Sequence, residues 1–129
     1  MRRILLDTHI FLWMQFESEK LSTNLAGLLK RGDVNWYLSQ VSVLEIQIKH
    51  SLGKLQLPAA PGEWLPGLIE KSGLEFRPLS NEAIFMLSKL PDLHRDPFDR
   101  LLVSTALTEG WEIATADYQL KKYPVRTLC

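Results

Sequence analysis

The sequence predicts an α/β domain with a mostly parallel central sheet, and three observations lead to that prediction. Short, continuous apolar runs, of which residues 4–6 are the clearest, are typical of strands that are buried on both faces. These runs alternate with longer stretches of helical periodicity, as in proteins built from strand–helix units. The 129 residues suffice for one sizeable core, so we expect a single domain over residues 1–129.

The first third of the chain is predicted to contain two strands and two helices. Residues 4–6 form the first strand, and a helix begins around residues 10–14. Ser22 is a candidate N-cap for the second helix, which Gly32 would end. Residues 36–38 predict a second and weaker strand.

A third helix is predicted from a capping box. Ser42 and Glu45 have the spacing at which the two side chains cap each other's backbone N–H groups at a helix start. Gly53 would end this helix. Its inward face would carry, in helical register, Leu44, Ile48 and Leu52.

The next stretch is predicted to hold two helices around a third strand. A helix is expected within residues 61–72, broken or bent near Pro66, and a strand at residues 74–76. Ser80 caps a short helix that extends to about Lys89. Its inward side chains would be Ile84, Leu87 and Leu90.

The best-defined helix start lies at Asp96, a candidate N-cap followed by Pro97 at the first helical position. Gly110 would end this helix. Asp99 shares a face with the apolar side chains at i+3, i+4 and i+7, so its carboxylate points toward the core. An unpaired buried carboxylate is costly, so Asp99 needs a partner. The last two strands are predicted at residues 111–114 and near residues 125–127.

Composition limits the function classes. The 15 basic and 15 acidic residues cancel, so a nucleic-acid partner would have to meet a local basic patch. The one cysteine, Cys129, allows no internal disulfide, which suits a reducing, cytoplasmic location. No apolar run approaches membrane-spanning length, so we expect no membrane association.

Four acidic residues are predicted to meet at one edge of the sheet. Asp7 and Asp117 follow the first and fourth strands, while Glu45 and Asp99 are placed in first helical turns. Each has a local alternative, as a turn residue or a helix cap, and Asp96 is explained as a plain N-cap. Gathered carboxylates repel one another, and a divalent cation with oxygen ligands removes that repulsion.

Other chemistries have weaker support. The chain has no glycine-rich phosphate loop and no Cys–His spacing suited to zinc. A phosphatase with Asp7 as nucleophile would want a second aspartate at position 9, which is His9. The three histidines are interpreted as surface or helix-end residues, although His94 and Arg95 could contact a substrate.

Four segments resemble a known family. In chain order they are Leu-Leu-Asp-Thr-His at residues 5–9, Ser-Val-Leu-Glu-Ile at 42–46, His-Arg-Asp-Pro-Phe-Asp-Arg-Leu-Leu-Val at 94–103 and Thr-Ala-Asp at 115–117. Together they are similar to PIN-domain proteins, above all the VapC-like toxins of bacterial type II toxin–antitoxin pairs. The resemblance extends from residue 3 to about residue 127.

The resemblance implies a three-layer α/β/α fold and a Mg²⁺- or Mn²⁺-dependent endoribonuclease. Four residues match the family's acidic ligands and catalytic groups: Asp7, Glu45, Asp99 and Asp117. Asp96 is an extra acid, which would be an alternative ligand or act through a water molecule. Thr115 would orient a carboxylate or a water. The cation would activate water for in-line attack on a phosphodiester.

The resemblance also implies partners: an RNA substrate, a cognate antitoxin and a second copy of the chain in a homodimer. Flanking phosphates of single-stranded or loop RNA would need basic neighbours, which otherwise form an ordinary solvated surface. The candidates are Lys49, Lys54, Arg95 and Arg100. The apolar side chains at residues 11–16 and 64–69 are interpreted mainly as core, with some available to a protein partner. The alternatives are an inactive PIN-like interaction module and a general nucleic-acid processing nuclease with the same site.

Overall fold

A computed structural model describes residues 1–129 and places all five strands in one parallel sheet. The strand order is β3-β2-β1-β4-β5, with the first strand at the centre. The strands are β1 (Arg2–Leu6), β2 (Val34–Ser39), β3 (Glu75–Arg77), β4 (Glu112–Ala114) and β5 (Thr127–Leu128). Every neighbouring pair is parallel, which confirms the predicted sheet.

Six α-helices connect and cover the strands. They are α1 (Thr8–Phe16), α2 (Thr23–Leu29), α3 (Gln40–Ser51), α4 (Pro61–Lys71), α5 (Asn81–Met86) and α6 (Pro97–Glu109). Because α1 and α3 begin directly after β1 and β2, their N-terminal ends lie at the carboxyl edge of the sheet. None of the helices is long and apolar enough to cross a membrane.

The sheet separates two hydrophobic cores, which makes the fold a three-layer α/β/α domain. Ile4 and Leu6 of β1 pack on one face, in a cluster that includes Phe11 of α1. Leu5, between them, packs on the opposite face with Leu102 of α6. Side chains that alternate between two buried faces explain why residues 4–6 of this strand are all apolar.

Several helix boundaries confirm the capping predictions. The side chains of Ser22, Ser80 and Asp96 accept hydrogen bonds from backbone N–H groups at the starts of α2, α5 and α6. Gly110 ends α6 in a left-handed conformation with φ of 76°, which favours glycine. Helix α1 begins earlier than predicted, because Asp7 is itself the N-cap and accepts from Ile10 N at 2.7 Å.

The predicted start of α3 is wrong. Ser39, the last residue of β2, is the N-cap, and its Oγ accepts from Val41 N at 3.0 Å. The helix therefore begins at Gln40, and Ser42 and Glu45 form no capping box. Glu45 lies in the second turn rather than the first, where its carboxylate is free of any capping role.

The inward face of α3 is also different from the predicted one. Leu44, Ile48 and Leu52 are 46%, 37% and 62% exposed. The buried side chains are instead Val41, Ser42, Glu45 and Ile46. Both sets satisfy helical spacing, and the direct connection from β2 decides which set turns toward the sheet.

Smaller differences follow from the same kind of long-range packing. Ile84 of α5 is exposed rather than inward, while Ala83 and Leu90 are buried. Helix α2 ends at Leu29 with Lys30 as its C-cap, so Gly32 does not end it. Helix α4 runs as one segment through Pro66. The apolar crowding at residues 11–16 and 64–69 is largely core, as interpreted.

A pair of substitutions on α3 tests the corrected orientation. Leu44→Gln should change the free energy of unfolding by less than about 0.5 kcal/mol, because the side chain already faces solvent. Ile46→Val should cost roughly 0.5–1.5 kcal/mol, because it removes a methylene group from the core. Urea denaturation measures both, and a larger loss for Leu44→Gln than for Ile46→Val would contradict this orientation of the helix.

Candidate metal centre

Asp7 is a buried carboxylate at the carboxyl end of the central strand. Its side chain is held by two neighbours: Ile10 N donates to Oδ1, and the Thr115 hydroxyl donates to Oδ2. Thr115 is itself fully buried, and its Oγ1 accepts from Asp117 N at 3.0 Å. One hydroxyl therefore connects the acid that follows β1 to the acid that follows β4.

Glu45 is buried on α3 and faces the start of α1. Thr8 donates its hydroxyl to Glu45 Oε1 at 2.6 Å, and Thr8 Oγ1 also lies 2.9 Å from Ser42 Oγ. The ammonium group of Lys49, one turn further along α3, donates to Glu45 Oε2. Both carboxylate oxygens are thus positioned before any ligand arrives.

Asp99 and Asp117 approach each other through His94. His94 Nε2 lies 2.9 Å from Asp99 Oδ2 and 3.4 Å from Asp117 Oδ2. One donor atom from each of these three residues lies within 4.8 Å of the other two, a spacing at which a single cation could contact all three. Asp117 Oδ1 accepts from Gln119 N at 2.8 Å, which fixes the orientation of that carboxylate.

The acids share one electrostatic environment. Burial, reinforced by the negative charges of Asp96, Glu45 and Asp117, raises the pKa of Asp99 from 3.8 to about 7. Burial also raises the pKa of Asp7, and the negative charge of Glu45 adds to this increase. Hydrogen bonds from Thr115 and Ile10 act in the opposite direction. Electrostatic interactions therefore link Asp7 to Glu45, and Asp99 to both Glu45 and Asp117.

Asp96 and Asp99 have different surroundings. Asp96 Oδ1 caps α6, accepting from Phe98 N at 2.9 Å and from Asp99 N at 3.4 Å. Its second oxygen is 3.9 Å from Lys49 Nζ. Asp99, in contrast, shares the three-residue cluster with His94 and has a side chain only 15% exposed. This arrangement favours Asp99 as a direct ligand and leaves Asp96 at the rim.

The four basic residues that are candidates for phosphate binding differ in whether other groups of the protein already bind their charged ends. Lys49 is paired with Glu45, and Arg100 donates to Pro91 O at 2.9 Å and to Leu87 O at 3.2 Å. Desolvation lowers the pKa of Lys49, but the hydrogen bond and charge of Glu45 outweigh it and leave that pKa raised. Lys54 and Arg95 are exposed and form no ion pair, so their charged groups are free. Arg95 directly follows His94, whereas Lys54 lies beyond the C-terminal end of α3.

The donor set fits a hard divalent cation. Five carboxylates gather here against one ammonium group and one imidazole, which leaves a surplus of negative charge. Carboxylate oxygens are the ligands that Mg²⁺ prefers, and Mn²⁺ additionally accepts imidazole. A cation would relieve the repulsion that raises the pKa of Asp99.

The profile of a known domain matches this chain: a family model of the PIN domain covers residues 4–125. The chain belongs to the PIN-domain family. Ribonuclease VapC22 from Mycobacterium tuberculosis (strain ATCC 25618 / H37Rv) is similar to this PIN domain along nearly the whole length of both chains. The two are 27% identical over 125 residues, which is 95% of this chain and 93% of the relative.

Two solved structures show the same fold. The structure of VapBC2 from Rickettsia felis, bound to a DNA fragment from their promoter, matches with a TM-score of 0.72 at 20% identity. That match covers 98% of this PIN domain and 97% of the other chain. DNA-bound VapBC from Salmonella typhimurium matches with a TM-score of 0.66 at 15% identity, over 99% and 98% of the two chains.

The sequence patterns did not identify two residues of this PIN domain's site. Thr8 was not singled out, although it directly follows Asp7, and its hydroxyl is a main support of Glu45. His94, interpreted mainly as a surface residue, lies within the carboxylate cluster with a side chain 20% exposed. Its position two residues before the N-cap Asp96 was the available signal, but spacing does not show where a loop side chain points.

Proposed function

We propose that this PIN domain is a divalent-cation-dependent endoribonuclease that acts as the toxin of a toxin–antitoxin pair. The observation that carries the proposal is the convergence of four buried or half-buried carboxylates at the carboxyl edge of the sheet. Two facts support the RNA substrate and the toxin role: the relative from Mycobacterium tuberculosis is named a ribonuclease, and the structural neighbours are VapBC complexes.

The residues that would hold the cation are Asp7, Glu45, Asp99 and Asp117. Bound Mg²⁺ or Mn²⁺ would lower the pKa of water and stabilise the negative charge that develops on the phosphate and on the leaving oxygen. The chain's own contribution is orientation. Thr115 and the Ile10 amide fix the carboxylate of Asp7, and Thr8 fixes that of Glu45.

The remaining groups have electrostatic roles in this proposal. Lys49 compensates the buried charge of Glu45. Lys54 and Arg95, both exposed, are the residues that would bind phosphates of the RNA. Arg100 holds the loop before α6 through the carbonyl groups of Pro91 and Leu87.

The direct test is a cleavage assay with the purified protein and single-stranded RNA. We expect cleavage with Mg²⁺ or Mn²⁺, none after chelation with EDTA, and restoration when the cation is added back. A DNA oligonucleotide of the same sequence serves as the comparison. Equal cleavage of RNA and DNA would instead indicate a general nuclease. Cation binding without cleavage of any nucleic acid would contradict the enzymatic proposal and favour an interaction module.

Replacing the two free cations tests the RNA-binding surface. The double variant Lys54→Gln/Arg95→Gln should weaken RNA binding several-fold and reduce the slope of log K against log salt by roughly 1.4, because each lost contact to single-stranded RNA contributes about 0.7. Arg126→Gln, an exposed arginine at the opposite edge of the sheet, is the matched control. Fluorescence anisotropy over a salt series provides the measurement, and equal effects of both changes would contradict this surface.

The proposal includes two protein partners and a cytoplasmic location. An antitoxin is supported by the neighbours, whose names pair VapB with VapC. A homodimer would cover apolar side chains that the isolated chain leaves exposed, such as Phe16 and Phe85. Light scattering after size-exclusion chromatography measures the oligomeric state, and a monomer at micromolar concentration would contradict the homodimer.

A further inference from the structure

We propose that His94 is a positioning residue whose imidazole, placed between Asp99 and Asp117, orients these two carboxylates for the divalent cation. The inference rests on the proposed metal-dependent function. It differs from a role as metal ligand, in which Nε2 would have to give up its proton and present a lone pair.

The backbone fixes which nitrogen carries the proton. Asp96 N donates to His94 Nδ1 at 3.3 Å, so Nδ1 is an acceptor. In a neutral imidazole the other nitrogen is then the donor. Nε2–H donates to Asp117 Oδ2 at 3.4 Å, and the same nitrogen lies 2.9 Å from Asp99 Oδ2, an ion-pair distance.

The loop that carries His94 is anchored at both ends. On the N-terminal side, Arg100 donates to the carbonyl groups of Leu87 and Pro91. On the C-terminal side, Asp96 is tied to the first turn of α6 as its N-cap. The imidazole therefore approaches Asp99 from a fixed position, which is what an orienting residue requires.

Asp99 depends on this contact more than the other acids do, because the protein provides them with hydrogen-bond donors. The carboxylate of Asp7 has two donors, Ile10 N and Thr115 Oγ1. Glu45 has donors from Thr8 and Lys49. For the Asp99 carboxylate, the one polar side chain in contact is His94, at 2.9 Å. His94 is thus the protein group through which the position of the Asp99 carboxylate can be held.

Cation binding by variants is the first test. His94→Ala should weaken Mn²⁺ binding by roughly 10–100-fold in isothermal titration calorimetry, the usual effect of removing a group that orients a metal ligand. His94→Gln should recover most of the affinity, because its amide can donate from a similar place. His50→Ala, an imidazole on α3 that contacts none of these carboxylates, is the matched control and should leave binding unchanged.

The second test uses the unmodified protein, so it does not depend on a variant that folds. Nitrogen-15 NMR of labelled histidine, above the ordinary imidazole titration range near about 6.5, should show His94 as the Nε2–H tautomer. The tautomer should remain after Mg²⁺ is added. A switch to Nδ1–H on addition of Mg²⁺ would identify Nε2 as a metal ligand and overturn the inference.

The outcomes separate this inference from the function on which it rests. If Asp99→Asn does not weaken Mn²⁺ binding, the proposed metal centre itself is wrong. If Asp99→Asn weakens binding and His94→Ala does not, only the positioning role of His94 is wrong. If His94→Gln binds as poorly as His94→Ala, although both keep wild-type thermal stability, donation from this position is not what matters.

Discussion

Asp99→Asn is expected to reduce RNA cleavage by more than about 100-fold in kcat/KM. Changes at residues that only orient a metal ligand already cost about 10–100-fold in affinity or activity, and Asp99 is placed as a ligand itself. The substitution keeps the size of the side chain and its position on the inward face of α6, next to buried Leu102 and Val103. The loss should therefore come from the missing negative charge rather than from a cavity.

The matched control for this variant is Asp92→Asn. Asp92 is an exposed aspartate in the loop before α6, so the same chemical change is made where no cation is expected. Single-turnover cleavage kinetics at saturating cation should show a near-normal rate for Asp92→Asn. An active Asp99→Asn together with an inactive Asp96→Asn would mean that the capping aspartate is the ligand and that the assignment within this helix start is reversed.

The second expected result is a stability that depends on pH and on the cation. Burial and neighbouring acids raise the pKa of Asp99 from 3.8 to about 7. Between these values the native state holds a proton that the unfolded state releases, so the free energy of unfolding falls as the pH rises through this window. Above about pH 7 the full destabilisation is present, roughly 1–2 kcal/mol once screening by solvent at the partly open site is taken into account.

Asp99→Asn should remove this pH-dependent loss of stability. Without a cation, the variant should be more stable than the wild type at pH above about 7 and similar to it at acidic pH. Adding Mn²⁺ at about 100 times its Kd should stabilise the wild type by about 2.7 kcal/mol and the variant by far less. Urea denaturation at two pH values, with and without cation, makes the comparison. An identical pH dependence of the two proteins would contradict the role assigned to Asp99.

Local chemistry made much of this fold and site predictable. Continuous apolar runs identified the buried strands, and capping side chains identified the starts of α2, α5 and α6. Gly110 marked the end of α6 because its backbone needs a positive φ. Asp7 and Asp117 could be placed at one edge because parallel strands bring their carboxyl ends together. These features depend on residues close in sequence or on the direction of a strand.

The features that local patterns could not supply depend on contacts between distant segments. Helix α3 has two apolar stripes, and its packing turned Glu45 inward against Thr8, 37 residues earlier, while Leu44 remained in solvent. His94 lies among the carboxylates because an anchored loop directs it to Asp117, 23 residues later. Periodicity specifies the spacing of side chains along a helix but not its rotation about its own axis, and a loop's path is set by the groups that anchor it. Those two degrees of freedom, which decide what surrounds the acids, are fixed only when the chain packs.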